Sequence, residues 1–235
     1  MAANINMKKI DSGELFLADH GWLKSRFHFS FAEYYNPKNV HFGVLRVLND
    51  DIVQPGTGFP EHPHENMEII SYIVEGELTH QDSMGNKRTL GRGDIQYMSA
   101  GTGLTHSEYN LGTEMLRFLQ IWILPDSRGL QPNYGDHRFA SEERENRLLP
   151  LVSGRTGGAP VQIYQDVNIY ATETEKEVEF PLEENRQAYL VLIEGRAAVN
   201  GETLETRDAL EIAGGGFTIR PEKKAHALII EMARL

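Results

Sequence analysis

The sequence predicts an all-β protein that consists of two similar antiparallel units. Three observations support this prediction: short runs rich in Val, Ile, Tyr and Phe recur along the 235 residues, turn-forming residues separate the runs, and the second half repeats features of the first. Residues of these types favour strands, and many short, closely spaced strands are typical of an antiparallel sandwich or barrel. The runs are HFGVLRVL, MEIISYIVEG, DIQYMSAG, MLRFLQIWIL, VQIYQDVNIYAT, AYLVLIEG and HALIIEMA.

Turn-forming residues mark the ends of several of these runs. Asn200-Gly201 is the clearest case, because both residues tolerate a positive φ and the pair favours a type I′ hairpin turn. Ser83-Met84-Gly85-Asn86 predicts a second turn. Asn49-Asp50-Asp51 predicts a third, at the end of the run HFGVLRVL.

The two halves of the chain show a weak internal repeat. Ile73-Val74-Glu75-Gly76 is echoed by Leu192-Ile193-Glu194-Gly195, and a Leu-x-x-x-Asp pattern follows each of them, at 90–94 and at 204–208. In each half, a strand that ends in Glu-Gly is followed by a hairpin and another strand. Because internal repeats usually mark repeated structural units, we infer that the halves are diverged copies.

The boundary between the copies is predicted near the middle of the chain. Ser141 can cap a short helix whose first turn holds acidic residues, and Pro150 follows soon after. The segment 153–160 is rich in small residues, as connectors and loops are. We predict an N-terminal domain over residues 1–135, a linker with a short helix over 136–160, and a C-terminal domain over 161–235.

Composition excludes several classes of function. The formal net charge is −11, so a nucleic-acid backbone or an anionic membrane surface would be repelled, and neither is expected as a direct partner. No run approaches the roughly 18 apolar residues of a spanning helix, and MAANINMKKIDSGE lacks the apolar stretch of a secretory signal. A soluble, cytoplasmic protein is expected. The absence of cysteine excludes disulfides, thiolate nucleophiles and iron–sulfur clusters, so any metal must bind nitrogen and oxygen.

Two separate segments hold side chains of the types that bind metals. Alternate residues of a strand share a face, so His62 and His64 point the same way, as do His106 and Glu108. If both segments line one barrel, three imidazoles and a carboxylate converge. That donor set suits iron(II), nickel, copper, manganese or zinc, and it leaves one or two coordination positions for water or substrate. Without a cation, such a buried cluster would be poorly satisfied.

Several nearby residues leave alternatives open. Glu68 has the same strand parity as His62 and His64, so it competes with Glu108 as the carboxylate ligand, or it orients a ligating histidine from outside. His80 lies near a hairpin turn, where a solvated or turn-stabilising role is expected. In the second half, His226 is the candidate equivalent of His106, but no His-x-His precedes it, and no metal is expected there.

These motifs resemble those of a known superfamily. Gly56, His62-x-His64 and Glu68, followed by Gly103-x-x-His106-x-x-x-Asn110, resemble the paired motifs of cupins, with Gly101 where a proline is usual. The resemblance is closer to the pirin family, it covers essentially the whole chain, and it is stronger in the first half. The segments that carry it are His62-Pro63-His64, Gly76-Glu77-Leu78, His80-x-Asp82-Ser83-x-Gly85, GDIQYMxAG at 93–101 and Gly103-x-x-His106-Ser107-Glu108.

The resemblance to pirins implies a fold and a metal site. The fold would be two tandem jelly-roll cupin barrels with a few short helices, the first holding metal and the second metal-free. The ligands would be His62, His64, His106 and Glu108, with Glu68 excluded. One divalent ion is implied, with Fe²⁺ preferred over Cu²⁺, Ni²⁺, Mn²⁺ or Zn²⁺.

The resemblance also implies two competing classes of function. Some pirin-like proteins are quercetin 2,3-dioxygenases, which open the central ring of a flavonol with O₂ and release carbon monoxide; Glu108 would then accept the 3-hydroxyl proton. Phe59, Met67, Tyr97 and Met98 are the candidate pocket walls. Alternatively, the chain resembles pirins that act as transcription cofactors or redox sensors through a protein partner, and a third possibility is another cupin reaction. A monomer is expected, since two barrels in one chain supply the pairing that single cupins obtain by dimerising.

Overall fold

The computed structural model describes residues 5–234, and it confirms the all-β prediction. Within that range the strands are accompanied by a single short 3-10 helix, Ser141–Arg144, where a few short helices were expected. No helix of the described part of the chain is long and apolar enough to cross a bilayer.

Twelve strands precede the short helix and ten follow it. The first twelve are β1 (Asn6–Ile10), β2 (Phe16–Asp19), β3 (Leu23–Phe27), β4 (Leu45–Val53), β5 (Thr57–His64), β6 (Glu68–Glu75), β7 (Leu78–Asp82), β8 (Lys87–Leu90), β9 (Ile95–Ser99), β10 (Leu104–Asn110), β11 (Leu116–Ile123) and β12 (Asn133–His137). The others are β13 (Leu149–Gly154), β14 (Val161–Ile163), β15 (Val167–Thr174), β16 (Val178–Phe180), β17 (Arg186–Glu194), β18 (Ala197–Val199), β19 (Glu202–Leu204), β20 (Ala209–Ala213), β21 (Phe217–Pro221) and β22 (Ala225–Ala233).

The unit formed by residues 16–139 and 163–165 contains two antiparallel sheets. The larger sheet has the order β12-β9-β6-β11-β4-β3-β2, and the smaller one has the order β5-β10-β7-β8. Buried apolar side chains from both sheets pack together in a core cluster of this unit. They include Ile73 and Phe118 from the larger sheet and Leu78 and Leu90 from the smaller one.

The other unit repeats this arrangement. Its sheets have the orders β1-β20-β17-β22-β15-β13-β14 and β16-β21-β18-β19, so β15 to β22 occupy the places of β4 to β11. The inferred duplication agrees with this order. The Asn200-Gly201 turn is also as predicted, because it joins β18 to β19 with φ of 47° and 93°, both in the left-handed region that a type I′ turn needs.

The repeated strand order corrects the expectation for His226. That residue lies on β22, which occupies the place of β11, whereas His106 lies on β10. The strand in the place of β10 is β21, and its Phe217 and Ile219 belong to an apolar core cluster. Imidazoles of the first unit are therefore replaced by hydrocarbon in the second, which packs without needing a cation.

The division of the chain differs in detail from the predicted domain limits of 135 and 160. β1 pairs with β20, so residues 6–10 belong with the second unit although they come first in the chain. The predicted linker region supplies β13, which pairs with β15. Backbone hydrogen bonds thus place β1 and β13 in the second unit, although sequence order alone assigns them elsewhere. The predicted limits themselves stay a prediction.

Candidate metal centre

Strands β5 and β10 run side by side and place His62 directly opposite His106. β5 is an edge strand, which explains how it accommodates Pro60 and Pro63 without breaking the sheet. A bulge follows, because Glu108 pairs with Phe59 rather than with the residue at position 60. The bulge lets Phe59 face the same cavity as His62 and His64 despite its opposite strand parity.

A glycine makes the close approach of these two strands possible. A Cβ atom on Gly58 would lie 2.3 Å from the carbonyl oxygen of Glu108 and 2.5 Å from the Cα of Tyr109. Any side chain at this position would force β5 away from β10. The histidines of the two strands would then separate.

The structure brings three of the predicted ligands together. One nitrogen each from His62, His64 and His106 lies within 4.8 Å of the others. The Nε2 atoms of His62 and His106 are 3.1 Å apart. The Nδ1 of His62 lies 2.8 Å from the carbonyl oxygen of Pro60, to which it donates, so the Nε2 of His62 presents a lone pair to the cluster.

Burial keeps two of these imidazoles in the neutral form that binds metals. Burial, followed by the neighbouring imidazoles of His106 and His62, lowers the pKa of His64 to about 4. Burial, followed by His62 and His80, lowers the pKa of His106 to about 3. At neutral pH both rings therefore have a lone pair available.

Glu108 lies in the same cavity and is held by side chains that sequence reasoning missed. Gln120 donates to its Oε2 at 2.7 Å, Ser71 donates to its Oε1 at 3.0 Å, and Gln96 also donates to Oε1. These three come from β11, β6 and β9, on the inner face of the larger sheet. A polar residue in the middle of an otherwise apolar strand is the signal that could have revealed them.

Glu68 is directed away from this centre. Its side chain is fully buried, Oε1 accepts a hydrogen bond from Ser99 at 2.6 Å, and Oε2 accepts one from the backbone N–H of Tyr164 at 3.1 Å. β5 ends at His64 and β6 begins at Glu68 in the other sheet, with Asn66 at a φ of 48° between them. The parity that linked Glu68 to the histidines is lost at this turn.

His80 is the second residue whose role sequence reasoning missed. The expected solvated position is wrong, because His80 has no exposed surface. Its Nε2 lies 3.2 Å from the Asp82 carboxylate, its Nδ1 lies 3.5 Å from the Nδ1 of His106, and its ring stacks on Tyr134. β10 pairs with β7 in a register that sets His106 opposite Asp82 and Glu108 opposite His80.

These contacts define a chain of hydrogen bonds that ends at the His106 ring, whose Nε2 faces His62. The Asp82 carboxylate can only accept, so His80 Nε2–H donates to it. In a neutral His80 ring, Nδ1 then has the lone pair that can accept from His106 Nδ1–H. The Nε2 of His106 then presents its lone pair to His62 and His64. Burial raises the pKa of Asp82, but hydrogen bonds from Asn86 and His80 outweigh it and lower that pKa, as an acceptor at the end of this chain requires.

Removing this support should weaken metal binding without removing a ligand. We expect His80→Leu to lower metal affinity by roughly 10–100-fold, the usual cost of losing an outer hydrogen-bond partner. His80→Asn keeps an acceptor near the position of Nδ1 and should lose less. Competition with a chromogenic chelator measures both affinities, and thermal unfolding of the metal-free variants shows whether the fold is intact. Equal affinity in His80→Leu and the unchanged chain would contradict the role.

The three imidazoles and Glu108 open onto a cavity of about 480 Å³. Of the expected wall residues only Phe59 lines it, because Met67 and Met98 pack in a separate apolar cluster and Tyr97 is buried in the larger sheet. The other aromatic walls come from β3, β11 and the segments beside them. They are Trp22, Phe27, Phe31 and Trp122.

Comparison with known proteins identifies the family. A family model described as Pirin matches residues 10–123, and one described as the quercetinase C-terminal cupin domain matches residues 151–232. A pirin-like protein of Caulobacter vibrioides is 42% identical over 92% of this chain and 95% of its own. This chain belongs to the pirin family. The predicted fold of two jelly-roll cupins is thereby confirmed.

Other pirin relatives have enzyme names. The quercetin 2,3-dioxygenase of Escherichia coli K12 is 41% identical over 83% of this chain and 84% of its own. A protein of Pseudomonas aeruginosa, 49% identical over 83% of this chain and 85% of its own, is named as a quercetin 2,3-dioxygenase only provisionally. The bacterial pirin YhhW of Escherichia coli, in complex with nickel(II), superposes with a TM-score of 0.90 at 35% identity, over 98% of this chain and all of its own.

Proposed function

We propose that His62, His64, His106 and Glu108 hold one divalent metal ion. The observation that carries the proposal is the 3.1 Å distance between the Nε2 atoms of His62 and His106. Donation from Nδ1 of each ring, to Pro60 and to His80, would leave a lone pair on both Nε2 atoms. Two such lone pairs repel unless a cation lies between or beside them. The nickel complex of a bacterial pirin supports this interpretation. Nitrogen and oxygen donors accept several ions, and iron(II) is our first choice among iron, nickel, copper, manganese and zinc.

The reaction that fits this centre best is cleavage of a flavonol such as quercetin by O₂. A cavity of about 480 Å³ falls within the roughly 300–1,000 Å³ typical of small-molecule pockets. Several of its lining residues are aromatic, and the nitrogen cluster and the Glu108 carboxylate also line it. The names of several relatives support the same reaction class, an oxidoreductase acting on an aromatic enol.

The chain's own residues would bind the substrate, exclude water and move one proton. Glu108 would accept the proton of an acidic ring hydroxyl, and Gln120, Gln96 and Ser71 hold its carboxylate in place for that transfer. Phe59 and Trp122 would cover the faces of a planar ring system. When bound, a divalent ion supplies Lewis-acid chemistry that favours the anionic form of such a hydroxyl.

Turnover tests this proposal directly. Protein loaded separately with iron(II), nickel and copper is incubated with quercetin in air. We expect loss of the flavonol absorbance with release of one carbon monoxide per quercetin. Glu108→Gln should lose most of the turnover, about 100-fold or more, because an amide cannot accept the proton.

The same experiment separates the two classes of function. Turnover with at least one metal supports the dioxygenase. No turnover with any of them, in protein shown to contain metal, would favour the second candidate, a metal-binding pirin that acts through a protein partner. Full activity of Glu108→Gln would remove Glu108 from its proposed role.

A further inference from the structure

The cavity has a second polar surface, which lies on the larger sheet rather than on the strands of the histidines. Ser25 on β3 and Asn49 and Asp51 on β4 line the same cavity as His62 and Glu108. Ser25 and Asp51 are directly opposite each other in the β3–β4 pair. The three residues are buried, with exposures of 1%, 3% and 3%.

These three side chains present atoms that the described part of the protein does not satisfy. Ser25 Oγ, Asn49 Oδ1 and Asp51 Oδ1 make no hydrogen bond of normal geometry with residues 5–234, although the Ser25 hydroxyl is close enough to Asp51 to lower the pKa of that carboxyl. Gln120, which pairs with Asn49 across β4 and β11, instead donates to Glu108. Burying a polar atom without a partner costs free energy, so three such atoms in one wall do not stabilise the fold.

The chemistry of the wall defines what it can bind. Asn49 Oδ1 and Asp51 Oδ1 accept hydrogen bonds, and the Ser25 hydroxyl can either accept or donate. Burial raises the pKa of Asp51 to about 7, and Asp50 and Glu108 add to the rise while Ser25 offsets part of it. Near neutral pH this carboxyl is therefore partly protonated and partly ionised, and in either form it binds a neutral hydroxyl more readily than an anion. The described residues that line the cavity include no lysine or arginine, which also disfavours an anionic group beside these three residues.

We propose that Ser25, Asn49 and Asp51 form a subsite that binds the hydroxyl groups of a polyhydroxylated aromatic ligand. The aromatic residues that line the same cavity would hold the ligand's rings. The proposal rests on the function proposed above for the metal centre. It adds that the protein distinguishes flavonols by hydroxyl groups other than the one that Glu108 would deprotonate.

A binding experiment without oxygen tests the subsite separately from turnover. Nickel-loaded protein is titrated under nitrogen with quercetin and with 3-hydroxyflavone, which lacks every hydroxyl except the one at position 3. We expect quercetin to bind at least about tenfold more tightly, since each hydrogen bond to an otherwise unpartnered buried group favours the hydroxylated ligand. In Asn49→Leu and in Ser25→Ala, that ratio of dissociation constants should fall several-fold toward one.

A matched control lies outside the cavity. Thr172 is a second buried residue whose hydroxyl has no hydrogen-bond partner among the described residues, and it does not line this cavity. Thr172→Val removes a hydroxyl as Ser25→Ala does, but it should leave the ratio unchanged. If Asn49→Leu does not fold, the ratio is measured in Ser25→Ala alone, which is the smaller change.

The possible outcomes separate this proposal from the dioxygenase. A ratio lowered in the wall variants but not in Thr172→Val supports the subsite, even if quercetin releases no carbon monoxide. An unchanged ratio in both wall variants overturns the subsite, even if quercetin is cleaved. Failure of the unchanged protein to bind either ligand overturns both.

Discussion

Alanine in place of His64 should lower metal affinity by about 100-fold or more. Loss of an outer hydrogen-bond partner already costs about 10–100-fold, and His64 itself supplies one nitrogen of the His62, His64 and His106 cluster. The side chain is partly exposed and neutral, so its removal leaves no buried charge. We therefore expect turnover to be abolished while the metal-free protein unfolds at nearly its original temperature.

Metal content after dialysis, carbon monoxide release and thermal unfolding measure the three parts of this prediction. His41→Ala is the matched control, because His41 is an exposed histidine outside the cavity whose Nδ1 contacts the Gly43 carbonyl oxygen. It should retain both metal and activity. A His64→Ala protein that keeps stoichiometric metal and full turnover would rule out the proposed centre.

Asparagine in place of Asp51 should make the metal-free protein more stable at alkaline pH. The pKa of Asp51 is about 7 in the folded chain, mainly because of burial, against an ordinary value of 3.8. Between those two values the folded chain holds a proton that the unfolded chain releases. Stability therefore falls as pH rises through this window, and the whole contribution is lost above about pH 7.

Because asparagine does not ionise, Asp51→Asn escapes that loss. The difference between the two pKa values corresponds to at most about 4 kcal/mol, so the variant should be more stable than the unchanged chain by up to that amount at pH 8.5 and by little at pH 4. Urea unfolding at the two pH values measures it. Asp126→Asn, at an exposed position, should show no such pH-dependent gain. Equal stability of Asp51→Asn and the unchanged chain at pH 8.5 would contradict burial of an ionisable carboxyl.

The two predictions have opposite signs for a shared reason. In its proposed role His64 would bind a metal at little cost to the fold, whereas Asp51 would bind a ligand hydroxyl at a cost to the fold. Residues that lower stability and line a cavity are those expected at binding sites. A stabilised Asp51→Asn protein that also loses preference for hydroxylated flavonols would link these two properties.

Much of the metal centre could be predicted from local patterns. His62-x-His64 and His106-x-Glu108 are each read from strand parity, which depends only on neighbouring residues. Strand parity gives the wrong side-chain direction for Glu68, because the turn between β5 and β6 places Glu68 in the other sheet. His80 and the donors to Glu108 were missed because their partners are distant in sequence, up to 37 residues for Ser71.

The sequence by itself determined the all-β class, the repeat, the nitrogen and oxygen donor set and the family resemblance, since these depend on composition, periodicity and short motifs. Only the tertiary structure decided what Asn49-Asp50-Asp51 does. The predicted turn is wrong, because these residues lie inside β4, between Leu45 and Val53. Three consecutive polar residues favour a turn when only local preferences act. Pairing with β3 and β11 on both sides holds them in a strand and turns Asn49 and Asp51 into the cavity.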